Sequence, residues 1–409
     1  MGIGGQLEKD LDVSIDMSSS NPNLDAFNRL RVSTPETIFD SSFRWDKQPV
    51  TWCELTASGG TVVHNSDTVS IDLSVTTTTG SSAIFQSRQY VRYHPGKGQA
   101  ILITGNFNGI ATSVTKRIGY FDENNGIFFQ LSGSTLSVVR RTKVSGSVVD
   151  NTTAQSSWNL DRLDGTGPSG VTIDTSKQQI FLIDFQWLGS GRIRYGIVAG
   201  GKIIYCHQDN NANVLTTPWS QTGDAPIRAS ISNAGSTSSS MHITCCAVLS
   251  EGTWAPDGIL RTVNLGSTPR AIGSVGSVIP ALSLRKKSAY LNVPIKIEDL
   301  TVLGNSSDDT LITLIFNGSL TGASWTSLSG VAEYDRSATA ISGGTPIYSS
   351  YLRGTNGSAS SVLLDIFKEV KNAPLGQDLS GNSDIFSVVI TAITNNPSVY
   401  LDINYRELL

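Results

Sequence analysis

The apolar residues of this chain fall mostly in short alternating runs, without the three-to-four spacing of helices. TVSIDLSVT, QAILITGNF, QQIFLIDFQWL and HITCCAVL read as strands, closed off by Gly, Asn, Asp or Ser. Two pairs of runs can be set in register as hairpins. In GIFFQLSGSTLSVVRR a turn at Gly133 and Ser134 places Leu131 opposite Leu136 and Phe129 opposite Val138. Gly at the first turn position suits a type II′ bend. In RIRYGIVAGGKIIYCH the turn is Gly200-Gly201, which sets Val198 against Ile203 and Tyr195 against Cys206; both glycines tolerate positive φ. One segment departs from the pattern. In SVLLDIFKEVKNAP, Leu363, Ile366, Phe367 and Val370 follow a helical spacing, with Ser360 as N-cap and Pro374 past the end. This predicts one short amphipathic helix over about 361–371.

The organisation follows from where these runs start and stop. Residues 1–38 are polar, with only scattered apolar positions, and read as an extended arm that gains order by lying on another surface. Phe27, Leu30 and Val32, around the basic pair Arg29 and Arg31, are its expected anchors. Residues 39–257 form a first β-sandwich and 258–282 a Gly/Pro-rich linker. Residues 283–409 form a second sandwich that carries the helix. The fold class is therefore all-β, with two antiparallel, jelly-roll-like sandwiches.

Composition narrows the function. Lys and Arg total 30 against 34 Asp and Glu, and only 16% of the 409 residues are charged. With no basic run, nucleic-acid binding lacks the clustered cations it needs. No apolar stretch is long enough to span a bilayer as a helix. The opening MGIGGQLEKDLDVSIDM has no basic end followed by an apolar block, so synthesis in the cytoplasm without a signal peptide is expected. Gln6 stands where a myristoylation motif needs Ser or Thr.

The candidate chemistry is sparse. Cys206-His207 with His242 and Cys245-Cys246 are zinc-ligand types, but MHITCCAVL reads as a strand. There His242, Thr244 and Cys246 face one way and Ile243, Cys245 and Ala247 the other. No metal and no cofactor are expected. Gly165, Gly167 and Gly170 match GxGxxG, yet the β-branched Val171-Thr172-Ile173 follows where a dinucleotide site needs a helix. Asp161 and Asp164 in NLDRLDG are a carboxylate pair that an acid/base mechanism for glycoside cleavage could use, in a loop where Asp commonly bonds its own backbone. None of the four His (His64, His94, His207, His242) has a convincing nucleophile near it in sequence. Asn151, Asn305, Asn317 and Asn356 match the glycosylation triplet and read as turn residues. Of the seven Trp, Trp219 and Trp254 lie in Pro-bearing loops and are the candidates for contact with a glycan or protein partner; Trp187 in its apolar run reads as core.

Several strings resemble tailed-bacteriophage virion proteins: AFNRLRVSTPETIFDSSFRW, NNGIFFQLSGSTLSVVRRT, GKIIYCHQDNN and, most specifically, WNLDRLDGTGPSGVTIDTSKQQIFLIDFQWLGSGRIRYGIV. SLTGASWTSLSGVAEYDRSATAISGGT is similar to the companion domain that follows in that family. The resemblance covers most of residues 25–350. It implies a structural or fibre-like virion component without catalytic residues, placed on the tail, baseplate or fibre apparatus or decorating the capsid. The expected partners are other virion proteins and further copies of the chain, with a trimer preferred by analogy with fibres. A carbohydrate-binding adhesin or depolymerase that recognises host surface glycans is the alternative.

Overall fold

The structure, a computed structural model, describes residues 18, 20–253, 258–354, 361–364 (backbone alone) and 374–408. Antiparallel strands build two sandwiches. The first pairs an eight-stranded sheet with a seven-stranded one. The larger sheet runs Lys202–Asp209, Ile193–Ala199, Gln179–Phe185, Gln99–Asn106, Ser239–Ser250, Ser70–Val75 and Thr61–Asn65, with Glu36–Ser42 beside Ser239–Ser250. The smaller runs Val149–Ala154, Thr135–Thr142, Gly126–Gly133, Ala111–Phe121, Ile227–Asn233, Ser82–Ser87 and Trp52–Ala57. The late strands Ile227–Asn233 and Ser239–Ser250 each sit between early ones, so both sheets close only when distant chain returns.

Alternation explains the core. Phe181, Ile183 and Phe185 point between the sheets, as do Ile101, Ile103, Phe129, Ile227 and Ile243. Trp52 stacks on Phe85 at 4.6 Å, with Phe43 edge-on at 5.2 Å. Burying each such side chain contributes about 1.5–3 kcal/mol. A second, separate core lies between the five- and six-stranded sheets of the other sandwich, around Leu284, Leu300, Ile312, Val388, Ile403 and Tyr405. Among the described residues helix is confined to the 3₁₀ turns Gln155–Ser157 and Ser288–Tyr290.

The first hairpin has the expected register, with Leu131 opposite Leu136, Phe129 opposite Val138 and Gly133 at φ +57°. The second needs a correction. Val198 faces Ile203 across Gly200-Gly201, but Tyr195 faces His207 and not Cys206. Cys206 is an extra residue in a bulge. Its carbonyl turns away from the ladder to accept the amides of Leu160 (3.1 Å) and Asp161 (3.0 Å).

A similar bulge between Ile243 and Cys245 changes the faces expected in MHITCCAVL. Met241, Ile243, Cys246 and Val248 are buried while His242, Cys245 and Ala247 are not, and the Thr244 carbonyl accepts the Phe43 amide (3.1 Å).

The predicted helix is corrected where it can be followed. Ser361–Leu364 is a strand on the edge of Ile295–Gly304, and the remainder of 361–371 lies outside the described residues. The stretch 258–282 supplies the strands Ile259–Asn264 and Arg270–Ala271 and the start of Val278–Lys286, with Val263, Leu265 and Ile272 in the second core. It is therefore part of the second sandwich. Its Gly and Pro fall between short strands instead of marking a free linker.

The sandwiches meet through Arg88 of the first and Asp384 of the second. The Arg88 guanidinium donates to Asp384 Oδ1 (2.8 Å) and to the carbonyls of Pro49 (3.0 Å) and Trp52 (3.2 Å). Asp384 also accepts the Gly376 amide and the Asn317 side chain, both at 2.8 Å. Lys286 lies close behind, 2% exposed, with its ammonium on the Leu291 carbonyl.

Burial depresses the Lys286 pKa to about 7, against a smaller opposing pull from Asp384. The unfolded chain then holds this proton up to about pH 10.5 while the folded chain releases it from about pH 7. Lys286 therefore contributes stability that grows with pH across that window, because the unfolded state holds more of its proton. Urea titrations between pH 6 and 10 should show the rise, and Lys286→Met should remove the part that begins near pH 7. An unchanged slope in the variant would exclude Lys286 as its source.

Candidate functional site

The arm is the first candidate surface. Its described part, residues 20–35, lies on the outer face of the larger sheet. Leu182 and Asp184 alternate with the core residues of their strand and so point outward; Leu182 packs with Ala100 and Tyr205, and Asp184 meets the arm. A carboxylate under a protein layer needs donors. Asp184 Oδ2 accepts Arg31 Nη2 (2.5 Å), the Tyr205 hydroxyl (2.7 Å) and Arg194, whose guanidinium also stacks on the Tyr205 ring. Arg31 reaches Glu251 with its other nitrogen (2.6 Å). Burial works against the charge of Arg31, but Asp184, with Tyr205 and Glu251, holds its pKa above the ordinary value.

The sheet also grips the arm's main chain. Arg194 donates to the Leu24 carbonyl (2.7 Å), and Arg192 donates to the carbonyls of Asp25 and Ala26 (both 3.2 Å). Asp25 shapes the loop by accepting the amides of Phe27 (2.8 Å) and Arg29 (2.9 Å) and pairing with the Arg29 guanidinium.

The arm's expected anchors are thereby revised. Arg31 is the central anchor, and Arg29, stacked over Phe27, closes the loop locally. Leu30 is 43% exposed and Val32 88%, whereas Leu24 and Ala26 are the buried apolar residues. The bridge between Leu24 and Leu30 folds the segment back on itself, with Leu24 buried and Leu30 left exposed.

Trp219 is not a surface contact. Its amide is tied to the Gly189 carbonyl and its ring meets Phe185 edge-on at 6.1 Å, leaving 3% exposed. Trp254 lies outside the described residues. Trp187 is half-buried against the first core, its indole nitrogen on the Ser220 carbonyl. Among the described residues the exposed indole is Trp45, at 88%.

The other candidates are committed to structure. Asp161 accepts the amides of Leu163 and Ser169, both at 2.8 Å, and leaves no room for a side chain at position 167. Asp164 bonds the amide and hydroxyl of Thr166, which lower its pKa. The GxGxxG stretch is the loop these two carboxylates hold. Burial pushes the Cys53 thiol up to about 12 and raises those of Cys206 and Cys246, so none is a ready nucleophile. Among the described residues no group of three His, Cys, Asp or Glu is placed to hold a metal, and no helix is long and apolar enough to cross a membrane.

A cleft of about 350 Å³ opens where the sandwiches meet. Arg228 and Glu123 line one side; Tyr290, Asn292, Gln377 and Asp378 line the other. Arg228 is buried and held by Gln86 Oε1 (2.7 Å) and Glu123 Oε1 (2.6 Å), its guanidinium 5.4 Å over the Phe121 ring. Asp122, in the floor, accepts the amides of Asn124 and Asn125 (2.7 Å each) and the Tyr90 hydroxyl (3.0 Å). No motif pointed to this cleft, because its walls come from residues over a hundred positions apart. The one sequence signal for the Asp184 cluster was an acidic residue inside an otherwise apolar strand.

No protein-family model matches this chain, and no curated protein does. Solved structures match about half of it. A glycosyl hydrolase family protein from Mycobacterium fortuitum is 12% identical with a TM-score of 0.37, covering 52% of this chain and 99% of its own. The carbohydrate recognition domain of Emp47p is 12% identical with a TM-score of 0.34, covering 54% and 99%. A protein of unknown function from Shewanella oneidensis MR-1 is 8% identical with a TM-score of 0.34, covering 57% and 93%. Likeness at this level carries no inference about activity or ligand.

If Arg31 holds the arm, Arg31→Ala should free it while the sandwiches stay folded. Losing charge-assisted bonds of this kind costs about 1.5–3 kcal/mol, which speeds proteolysis between residues 20 and 35 by roughly tenfold or more. Val32→Ala should leave the cleavage rate unchanged. Equal sensitivity in the two variants would mean that apolar contact, not the ion pair, secures the arm.

Proposed function

We propose that this chain is a non-enzymatic structural component of a tailed-phage virion. It would be displayed on the tail, baseplate or fibre apparatus or decorate the capsid, acting through protein–protein assembly. The observation that carries this reading is the fate of the clustered ionisable groups. Asp184 is bonded by Arg31, Arg194 and Tyr205, Asp384 by Arg88, and Asp161 by the amides of its own loop. A hydrolase of glycans needs two carboxylates facing a substrate across a free gap. The Asp161 and Asp164 pair cannot supply them, both being bonded within their own loop.

A contact residue for assembly is available. Trp45 is 88% exposed, and tryptophan is among the residues enriched at interface hot spots. Particle positions are symmetric, so further copies of the chain are the first partners to expect, with a trimer the preferred state. Other virion proteins would follow.

Sedimentation of the purified full chain should reveal a homo-oligomer. Trp45→Ser should weaken it by roughly 30-fold, the effect of losing about 2 kcal/mol at an interface hot spot, with an unchanged melting curve. A wild-type chain that is monomeric both at high concentration and on the particle would refute the assembly role. Release of reducing ends from host polysaccharide would refute the non-enzymatic one.

A further inference from the structure

We propose that the cleft between the sandwiches binds a neutral saccharide. This goes beyond the assembly reading and does not depend on it. Three observations carry the proposal. First, the cleft offers both halves of the hydrogen bonding that sugar hydroxyls require. Glu123 and Asp378 offer carboxylate oxygens and Asn292 an amide N–H to the cleft, while Asp122, Arg228 and Gln377, already bonded within the protein, line its wall. Second, Tyr290 stands at the rim with 45% of its surface exposed, on the turn Ser288–Tyr290. An aromatic ring beside convergent polar groups can pack against the apolar C–H face of a pyranose while its hydroxyls are bonded from the side.

Third, the charge balance selects the ligand class. Three carboxylates face one guanidinium, and Arg228 is already paired with Glu123 at 2.6 Å. Among the described residues the lining holds no unpaired cation to draw an anionic sugar, Arg141 behind Asp122 being paired with Asp150 at 2.8 Å, whereas a neutral sugar meets acceptors for its hydroxyl protons. No group of His, Cys, Asp or Glu among the described residues is set to hold a metal, so these carboxylates are not a cation site. At about 350 Å³ the cleft lies at the small end of ligand sites, which suits one or two sugar rings.

The walls are also built to keep their spacing. Lys287 donates to the carbonyls of Leu328 and Gly330, both at 2.7 Å, and Lys286 to that of Leu291, so the turn bearing Tyr290 and Asn292 is fixed at both ends. Asp378 is held by the amides of Ser380 (2.9 Å) and Asn382 (2.8 Å), and Gln377 bonds Asn292 (3.2 Å). A site prepared in this way loses little order on binding.

Saturation-transfer NMR and calorimetry on the full chain test the idea. The probes are glucose, galactose, mannose, N-acetylglucosamine and disaccharides built from them, offered up to roughly 10 mM so that millimolar affinities register. At least one should bind. Tyr290→Ala and Asn292→Ala, both on exposed side chains, should each weaken it tenfold or more without changing the melting curve. Tyr351→Ala, an exposed tyrosine outside the cleft, should leave binding as in the wild type. Sialic and glucuronic acids should not bind. The proposal is overturned by no binding from the neutral panel, by binding that survives both cleft variants, or by acidic sugars that bind as well as neutral ones.

Discussion

A carboxylate shut away from water organises the first sandwich. Asp184 lies on an outward-facing position of a strand whose other residues are apolar, and the arm covers it. Its charge has to be answered locally, since an unpaired buried carboxylate is far costlier than a paired one. Arg31 from the arm, Arg194 from the neighbouring strand and Tyr205 from the next one all converge on a single oxygen. The consequence is positional. Once Asp184 is buried there, the arm must place Arg31 over it, and Leu24 and Ala26 are carried onto the sheet with it. A greasy arm could slide along a sheet; this one has a register.

The same device recurs between the sandwiches. Asp384 is buried, accepts Arg88 from across the junction and is bonded twice from its own side. Buried pairs of this kind are weak contributors to net stability, because desolvation offsets much of the attraction. Their value lies in direction. Removing one partner leaves a stranded charge, so the paired geometry is strongly preferred over any near alternative. That logic also bears on chemistry. Carboxylates held by two or three donors are poor proton carriers, and Asp161, Asp184 and Asp384 are used to fix loops and segments in place.

The parts legible in the sequence are those determined by neighbours in the chain. The 126–142 hairpin could be read because a two-residue turn and the alternation on each side set its register locally. The bulges at Cys206 and Thr244 could not, since each exists to hand a carbonyl to a distant amide, from Leu160 and Asp161 in one case and Phe43 in the other. Helical spacing misled at Leu363, the start of that run, for a related reason. The edge of Ile295–Gly304 offers Ser361–Leu364 a ladder of backbone bonds, and tertiary pairing overrides a local period. In the arm, Leu30 and Val32 looked like anchors by hydrophobicity, but the turn built on Asp25 decides which side chains face the sheet. Trp219 was misplaced by its Pro-bearing loop, which the Gly189 carbonyl draws back onto Phe185.

The cleft was illegible for the deepest reason: it belongs to neither sandwich. The two hydrophobic cores are separate, and Val50 is the first-sandwich side chain that packs against the second core. Apolar contact alone would leave the relative orientation loosely set, because it is non-directional. Directional bonds supply what it lacks. Arg88 spans the junction to Asp384, its carbonyl accepts the Gln377 amide (3.0 Å), and the Cys53 thiol reaches the Gln377 carbonyl (3.8 Å). These contacts fix Gln377, itself a lining residue, against the first sandwich. The spacing between Arg228 and Asp378 is then a property of the junction, and any ligand selectivity of the cleft is inherited from a contact that no single-domain sequence pattern encodes.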